Sequence, residues 1–327
     1  MDYDVFNGDA DGICALHMLR LDTPARRTLI TGVKRDIELL RRVPAAPGIQ
    51  VLVLDVSLDA NAGELQRLLD GGARLTWFDH HAADCAPAHN HPHLGLHCDT
   101  SPQVCTSILV DRHLGGRYRP WAVTAAFGDN LDQPARALAH SLGLDHDATS
   151  ALQQLGQVLN YNAYGECEAD LHVAPVDLYL AISTQPTPAG FMASALYRDL
   201  LDGYRADSAL LEHLQPHWQQ HGNAVYVLPS APWARRVNGV LANRLAARQD
   251  GAAFAVLVER SDGDYLVSVR SGQPEERSAC RLCSEFPSGG GRHAAAGINR
   301  LPAAELTHFI ARFDAYFRAD APRSHAA

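Results

Sequence analysis

Short apolar runs that lead directly into acidic or imidazole side chains recur in the first third of the chain. The runs at 3–6, 51–54 and 75–78 end in Asn7-Gly8-Asp9-Ala10-Asp11-Gly12, in Asp55 and in Asp79-His80-His81. Helical spacing of apolar positions follows at 13–21, 36–43, 62–69 and 102–114. This alternation predicts an α/β fold, with a parallel sheet that carries helices on both faces. The histidine-rich stretch 89–98 lacks such spacing, and we interpret it as an irregular connection.

The acids and imidazoles after these strands are expected to converge, because the carboxyl ends of parallel strands share one edge where ligands bind. The residues concerned are Asp9, Asp55, Asp79 and His80. Another carboxylate, Asp129, ends the apolar stretch 122–127. Several carboxylates in one crevice repel each other, and a bound cation relieves that repulsion. Oxygen and imidazole donors favour Mn²⁺, Co²⁺, Zn²⁺ or Mg²⁺ over a thiolate-type structural site.

A second alternation of strands and helices begins near residue 225, after a break rich in proline and glycine at 184–190. We therefore predict three parts: a metal-binding catalytic domain at 1–186, a helical linker at 187–222 and a smaller substrate-binding α/β domain at 223–327. In the last part, consecutive glycines at Gly289, Gly290 and Gly291 precede Arg292 and His293, and Arg270 and Ser271 end a neighbouring strand. Such a group is suited to binding a phosphate or carboxylate, with a flexible loop as the alternative interpretation.

Charge and composition narrow the classes of function. The net charge of −9 disfavours a general nucleic-acid or membrane binder. Residues 223–327 nevertheless carry a net +3, against −12 for residues 1–222, which suggests a cation on one side and an anionic substrate on the other. Lys34 is the only lysine and lies outside any P-loop pattern. Without a long apolar run or a basic leader, we expect a cytoplasmic protein.

Taken together, these motifs resemble the DHH-DHHA1 phosphoesterases, a family that includes RecJ-type exonucleases and nano-RNases. The matching segments are Asn7-Gly8-Asp9-Ala10-Asp11-Gly12, Asp55, Asp79-His80-His81, Asp129, Arg270-Ser271 and Gly289-Gly290-Gly291-Arg292-His293, in the family's order. The resemblance implies an N-terminal DHH domain with a parallel sheet and a smaller C-terminal DHHA1-like domain. It also implies metal-dependent hydrolysis of phosphoesters.

The first motif departs from the family pattern at position 7, where members usually carry an aspartate and this chain has Asn7. The resemblance therefore implies one firm metal site, made by Asp9, Asp55, His80 and Asp129. It implies a second, weaker site that would use Asn7, with Asp11 as a substitute ligand. The expected ion is Mn²⁺, with Mg²⁺ or Co²⁺ as replacements.

The leading hypothesis is a Mn²⁺-dependent phosphodiesterase of the exonuclease type that acts on short nucleic acids or on nucleotide-derived substrates. His81, as a proton donor or phosphate ligand, and Asp79 would be the catalytic residues. We expect no membrane partner, and a homodimer is left open. One alternative is a pyrophosphatase or polyphosphatase of the same superfamily. The other is a nucleotide-binding regulator whose catalysis is weakened by Asn7.

Overall fold

The computed structural model describes residues 1–81, 91–247 and 251–318. The chain forms two compact units, Met1–Tyr204 and Arg205–Ala327. The predicted segmentation at 1–186, 187–222 and 223–327 stays a prediction. Within the described ranges, no helix is long and apolar enough to cross a membrane.

The first unit is built on a five-stranded parallel sheet. Its strands are β1 (Tyr3–Phe6), β2 (Thr28–Ile30), β3 (Gln50–Leu54), β4 (Arg74–Asp79) and β5 (Leu94–Cys98), in the order β2-β1-β3-β4-β5. From β1 the chain passes to β2 on one side, and β3 lies on the other. Strand order therefore reverses between β1 and β3, and ligands bind at such a reversal in open parallel sheets.

Helices pack on both faces of this sheet. The helices along this part of the chain are α1 (Ala10–Asp22), α2 (Ala62–Asp70), α3 (Thr106–His113), α4 (Arg119–Gly128), α5 (Asp132–Ser141), α6 (His146–Asn162), α7 (Pro175–Ser183), α8 (Pro188–Met192) and α9 (Ala195–Ala209). Phe6 and Leu54 belong to one buried core, and the alternate residues Val5, Val53 and Trp77 belong to another. Because both faces are buried, the strands are continuous apolar runs in the sequence.

The second unit contains a six-stranded mixed sheet, which together with the first sheet confirms the predicted fold class. Its elements are β6 (Trp218–Gln220), β7 (Asn223–Leu228), α10 (Pro232–Ala246), β8 (Phe254–Glu259), β9 (Tyr265–Arg270), α11 (Ala279–Cys283), β10 (Gly289–Gly291), β11 (Ala295–Leu301) and α12 (Leu306–Phe317). The order is β10-β11-β9-β8-β7-β6, and the β7–β8 pair is parallel. Phe309 and Phe313 of α12 are fully buried in the core of this unit.

Two local predictions are wrong, and so is the alternative interpretation of the glycine run as a flexible loop. Residues 36–43 form only a short 3-10 turn at Leu39–Arg42. Of the histidine-rich stretch 89–98, residues 89 and 90 lie outside the described residues, and Leu94–Cys98 forms β5 alongside β4. The glycine run is strand β10, paired antiparallel with β11, and not a loop. Strand β5 is decided by its pairing with β4, and β10 by a hairpin with the strand that follows it; the pattern of apolar residues carries little signal of either.

Residues 36–43 do not form the predicted helix because the side chain of Asn61 bonds to their backbone. Its Oδ1 accepts a hydrogen bond from the Leu40 amide at 3.2 Å, and its Nδ2 donates to the Ile37 carbonyl at 2.6 Å. These bonds satisfy backbone groups that would otherwise pair within a helix.

Helices α4 and α6 approach each other closely at two glycines. A Cβ added to Gly156 would lie 2.1 Å from the Thr124 carbonyl oxygen and 2.8 Å from the Gly128 nitrogen. A Cβ added to Gly128 would lie 2.5 Å from the Cβ of Ala10, at the start of α1. The absence of side chains therefore lets α4 end against α1 and α6, and Asp129 follows directly.

We expect Gly156→Ala to lower the free energy of unfolding by roughly 1–3 kcal/mol, because the added methyl group meets backbone atoms that cannot move aside independently. Gly63, on the exposed face of α2, has nothing within 4 Å of an added Cβ. The control Gly63→Ala should leave the stability unchanged or raise it by up to about 1 kcal/mol. Urea unfolding of both variants measures the difference, and equal effects would contradict the close-packing explanation.

Candidate metal centre

Acidic and imidazole side chains gather at the carboxyl edge of the parallel sheet. Asp9 follows β1, Asp55 follows β3, His80 and His81 follow β4, Asp11 lies in the first turn of α1 and Asp129 follows α4. Ligand atoms of Asp55, His80 and His81 all lie within 4.8 Å of one another, and so do those of Asp11, His80 and Asp129. Of the four residues expected to converge, Asp55 and His80 lie in the first group and His80 belongs to both, whereas Asp9 and Asp79 are in neither group.

The turn between β1 and α1 fixes Asp9. As the N-cap of α1, its Oδ1 accepts hydrogen bonds from the amides of Asp11 at 3.0 Å and Gly12 at 3.1 Å. A Cβ at Gly12 would lie 2.2 Å from the carbonyl oxygen of Asn7, so this turn needs glycine there. The side chain of Asn7 accepts a bond from the Asp9 amide at 3.3 Å.

Asp11 joins α1 to the start of α3. Its two carboxylate oxygens accept hydrogen bonds from the amides of Thr106 at 2.8 Å and Ser107 at 2.7 Å. The Ser107 hydroxyl donates to the Asp11 carbonyl at 2.8 Å. The carboxylate therefore satisfies two amides at the amino end of α3, where negative charge is stabilising.

Two residues of the edge adopt left-handed backbone conformations. Asp55 has φ of 56°, and Asn130, which follows Asp129 at the end of α4, has φ of 61°. Among non-glycine residues, Asp and Asn tolerate this region best. Such conformations concentrate at functional sites, and here they turn the chain directly at or after a carboxylate of the cluster.

The ring of His80 is oriented as a metal ligand would be. Its Nδ1 lies 2.9 Å from the carbonyl oxygen of Val104, which can only accept, so Nδ1 carries the hydrogen. Its Nε2 lies 3.4 Å from Asp55 Oδ1, 3.8 Å from Asp129 Oδ2 and 4.0 Å from Asp11 Oδ2. A nitrogen lone pair that faces three carboxylate oxygens is repelled unless a proton or a cation lies between them. A carbonyl that fixes the tautomer in this way is typical of metal-bound histidine.

These donors fit a divalent cation of the Mn²⁺ or Mg²⁺ type. Among the described residues, both groups consist of carboxylate oxygens and imidazole nitrogens and contain no cysteine. Burial, and then the carboxylates of Asp9 and Asp11, raise the pKa of Asp55 well above its usual value. Burial also raises the pKa of Asp11. The unfavourable charge of these carboxylates is the physical reason for a cation here.

Asp79 and His81 form a hydrogen-bonded pair beside the cluster. His81 Nδ1 lies 2.6 Å from Asp79 Oδ1, which also accepts a bond from the His80 amide at 2.8 Å. Although burial opposes protonation of the ring, the carboxylate of Asp79 raises the pKa of His81. Asp79 Oδ2 is buried without a hydrogen-bond partner among the described residues. The pair therefore favours a protonated imidazole at the edge of the site.

Sequence reasoning missed Lys34 and Asn160 as members of the cluster. Lys34 Nζ contacts Asp9 Oδ2, lies 3.6 Å from Asp129 Oδ1 and donates to Asn160 Oδ1 at 3.1 Å. Burial alone would raise the pKa of Asp9, but the Lys34 ammonium lowers it overall. The available signal was that Lys34 is the only lysine in the chain. A search for basic residues close in sequence to each acid could not find it.

The residues predicted to bind substrate lie together in the second unit. Arg270 pairs with Ala295 across β9 and β11, and the Ser271 amide donates to the Ala294 carbonyl at 3.0 Å. The Arg292 amide donates to the Ala295 carbonyl at 2.8 Å, which closes the turn from β10 into β11. Arg292 and His293 are exposed at this turn. The guanidinium of Arg270 is oriented by Asn243, whose Oδ1 accepts from its Nε at 2.9 Å.

Asp55→Asn should raise the melting temperature of the metal-free protein by about 2–4 °C for each kcal/mol of relieved repulsion. Because the folded-state pKa of Asp55 is raised, its contribution to stability is present below its usual pKa of 3.8 and is lost as pH rises through the folded value. The stability of the wild type relative to the variant should therefore fall as pH rises above the usual pKa of 3.8.

Melts in EDTA and in Mn²⁺ provide the measurement. We expect Mn²⁺ to stabilise the wild type much more than Asp55→Asn. Asp147, whose side chain is fully exposed, gives the control Asp147→Asn, which should behave as the wild type. If Asp55→Asn melted at a lower temperature than the wild type in EDTA, that result would contradict the repulsion between Asp55 and the neighbouring carboxylates.

No protein-family model and no curated protein sequence matches this chain. Its structure is similar to that of RecJ exonuclease bound to manganese, with a TM-score of 0.61 and 19% identity over 100% of this chain and 92% of the other. The Mn²⁺ complex of RecJ from Thermus thermophilus gives a TM-score of 0.57 and 19% identity over 97% of this chain and 52% of that one. PggH, a pGpG-specific phosphodiesterase from Vibrio cholerae, gives a TM-score of 0.56 and 13% identity over 98% of this chain and 100% of that one.

At sequence identities this low, structural similarity establishes a shared fold. It extends over both units and so includes the parallel sheet as well as the second, mixed sheet. The chain therefore has the fold shared by RecJ and PggH, which confirms for the fold the resemblance drawn from its motifs.

Proposed function

We propose that this protein is a metal-dependent phosphodiesterase that hydrolyses short oligonucleotides or nucleotide-derived phosphoesters. The observation that carries the proposal is the orientation of His80, whose Nδ1 bonds to the Val104 carbonyl while Nε2 faces three carboxylates. A cation bound between Nε2 and these carboxylates would relieve their mutual repulsion. The cation supplies Lewis-acid polarisation of the phosphoryl group and of the attacking water.

The fold supports both the reaction class and the choice of Mn²⁺. RecJ is an exonuclease with manganese-bound structures, and PggH is a phosphodiesterase specific for pGpG. Mg²⁺ and Co²⁺ are the expected substitutes, since they share the preference for oxygen and imidazole donors. The net charge of −9 favours a short substrate over long duplex nucleic acid.

The residues of the cluster divide into ligands and proton-handling groups. Asp11, Asp55, His80 and Asp129 would hold the cation. His81 would act as the general acid: its Nδ1 is bonded to Asp79 Oδ1, which leaves Nε2–H free to protonate the departing oxygen. Asp79 holds the ring and stabilises its charged form, as an orienting carboxylate does for other catalytic histidines.

The second unit would hold the part of the substrate away from the reacting phosphate. Arg292 and His293 are exposed at the turn between β10 and β11, and Arg270 and Ser271 lie at the end of the neighbouring strand β9. Guanidinium groups bind phosphate through charge-assisted hydrogen bonds. Strand β10 is the edge strand of its sheet, and its residues Gly289, Gly290 and Gly291 carry no side chains that would keep the same anion away from the backbone.

His80→Ala should lower kcat at least about 100-fold, since it removes a ligand shared by both groups of donors. The measurement is hydrolysis of pGpG, pApA and short RNA with added Mn²⁺, followed by chromatography. His146→Ala is the control, because that side chain is 86% exposed and belongs to neither group of candidate ligands. Full turnover by His80→Ala would exclude the assigned metal site. Turnover of pyrophosphate but of no nucleotide would favour a pyrophosphatase instead.

Arg292→Ala should raise KM roughly tenfold or more and change kcat less, because loss of a charge-assisted bond to a distant phosphate weakens ground state and transition state alike. Arg281→Ala, at another exposed arginine of the same unit, is the control. Steady-state kinetics with pGpG separate the two parameters. An unchanged KM would remove this turn from the substrate site.

A further inference from the structure

Lys34 brings a fixed positive charge into the acidic cluster. Its side chain is 23% exposed, against 3% for Asp9, and its ammonium contacts the Asp9 carboxylate. The same nitrogen lies 3.6 Å from Asp129 Oδ1 and donates to Asn160 Oδ1 at 3.1 Å. The ring of Tyr164 lies on another side, with its centroid 5.8 Å from Nζ. The ammonium is therefore surrounded by four groups from three separate parts of the chain.

The backbone of Lys34 is also fixed. Its amide donates to the carbonyl of Ala163 at 2.9 Å, and its own carbonyl accepts from Asn7 Nδ2 at 3.3 Å. An aspartate at position 7 has no hydrogen to donate and would place a carboxylate oxygen against that carbonyl. The neutral residue at position 7 and the lysine at position 34 thus belong to one arrangement.

Asp129 lies between the ammonium and the candidate metal ligands. Its Oδ1 faces Lys34 Nζ, and its Oδ2 faces His80 Nε2 at 3.8 Å. Asp9 and the ammonium lie on the Oδ1 side of Asp129, and His80, whose Nε2 also faces Asp55 and Asp11, lies on its Oδ2 side. Burial and the carboxylate of Asp9 both raise the pKa of Asp55, so the ammonium and the candidate metal ligands share one cluster, and that cluster already contains one cation.

We propose that Lys34 occupies the place of a second divalent cation, so that the resting protein binds one Mn²⁺ per chain, among Asp11, Asp55, His80 and Asp129. The inference rests on the proposed function for the identity of the metal centre. A second dication at Asp9 would have to displace the ammonium or be repelled by it. The ammonium in turn neutralises Asp9 and lies beside the site where a substrate phosphate would carry negative charge.

The test is the number of Mn²⁺ ions bound by the full chain, measured by equilibrium dialysis and elemental analysis after treatment with EDTA. We expect one ion for the wild type. Lys34→Met, which keeps the length of the side chain and removes its charge, should bind two. Lys34→Arg keeps the charge and is the matched control, with one ion expected. Thermal melts in Mn²⁺ establish that each variant is folded.

Two Mn²⁺ ions in the wild type would overturn the inference, and this measurement does not depend on whether Lys34→Met folds. One ion in a folded Lys34→Met protein would overturn it as well. Hydrolysis of pGpG, pApA and short RNA by the same samples separates the two proposals. If the wild type binds two ions and hydrolyses a substrate, the proposed function stands and the role of Lys34 is excluded. If the wild type binds one ion and hydrolyses none of the substrates, the role of Lys34 stands and the proposed function is excluded. A wild type that binds no Mn²⁺ would exclude both.

Discussion

Burial of several carboxylates at one edge of the parallel sheet is the constraint on which the rest of this structure depends. Asp9, Asp11 and Asp55 are each at most 3% exposed, and ionised groups at that depth are unfavourable unless they have partners. Every partner in the described residues has a separate structural origin: backbone amides of two helices, a lysine from beyond β2 and a histidine from the end of β4. The fold is arranged so that these partners meet.

That arrangement explains why small residues occur where they do. Gly12 lets the first turn of α1 lie on the end of β1, and Gly156 lets α6 lie on α4. Both contacts support chemistry in which the glycines themselves take no part. A side chain in either place would move Asp9 or Asp129 by more than a candidate metal site tolerates.

The sequence predicts this fold well where a strand is buried on both faces of its sheet. Strands β1, β3 and β4 are covered on both faces, so each is an apolar run that ends in a polar residue. Strand β5 lies at the edge of the sheet, and most of its residues are partly or fully exposed, so its pattern resembles that of a loop. The predicted helix at 36–43 fails because Asn61, which is distant in sequence, bonds to its backbone.

The residues of the candidate site also differ in how well the sequence predicts them. Its acids and histidines could be predicted because each follows an apolar strand or helix at a carboxyl edge. The lysine could not, since its contacts with Asp9 and Asn160 span 25 and 126 residues. Nothing local marks residue 34 as part of a site. Only its being the sole lysine in the chain sets it apart.

Asp11 has a consequence for the evolution of such a protein. Because its carboxylate caps α3 through Thr106 and Ser107, loss of the acid would damage the fold as well as the chemistry. Selection for folding alone would then preserve Asp11 in a descendant that no longer turned over substrate. His80 bonds to the Val104 carbonyl, just before the same helix. Among relatives of this chain, the aspartate of the first motif alone is therefore a weak marker of retained catalysis.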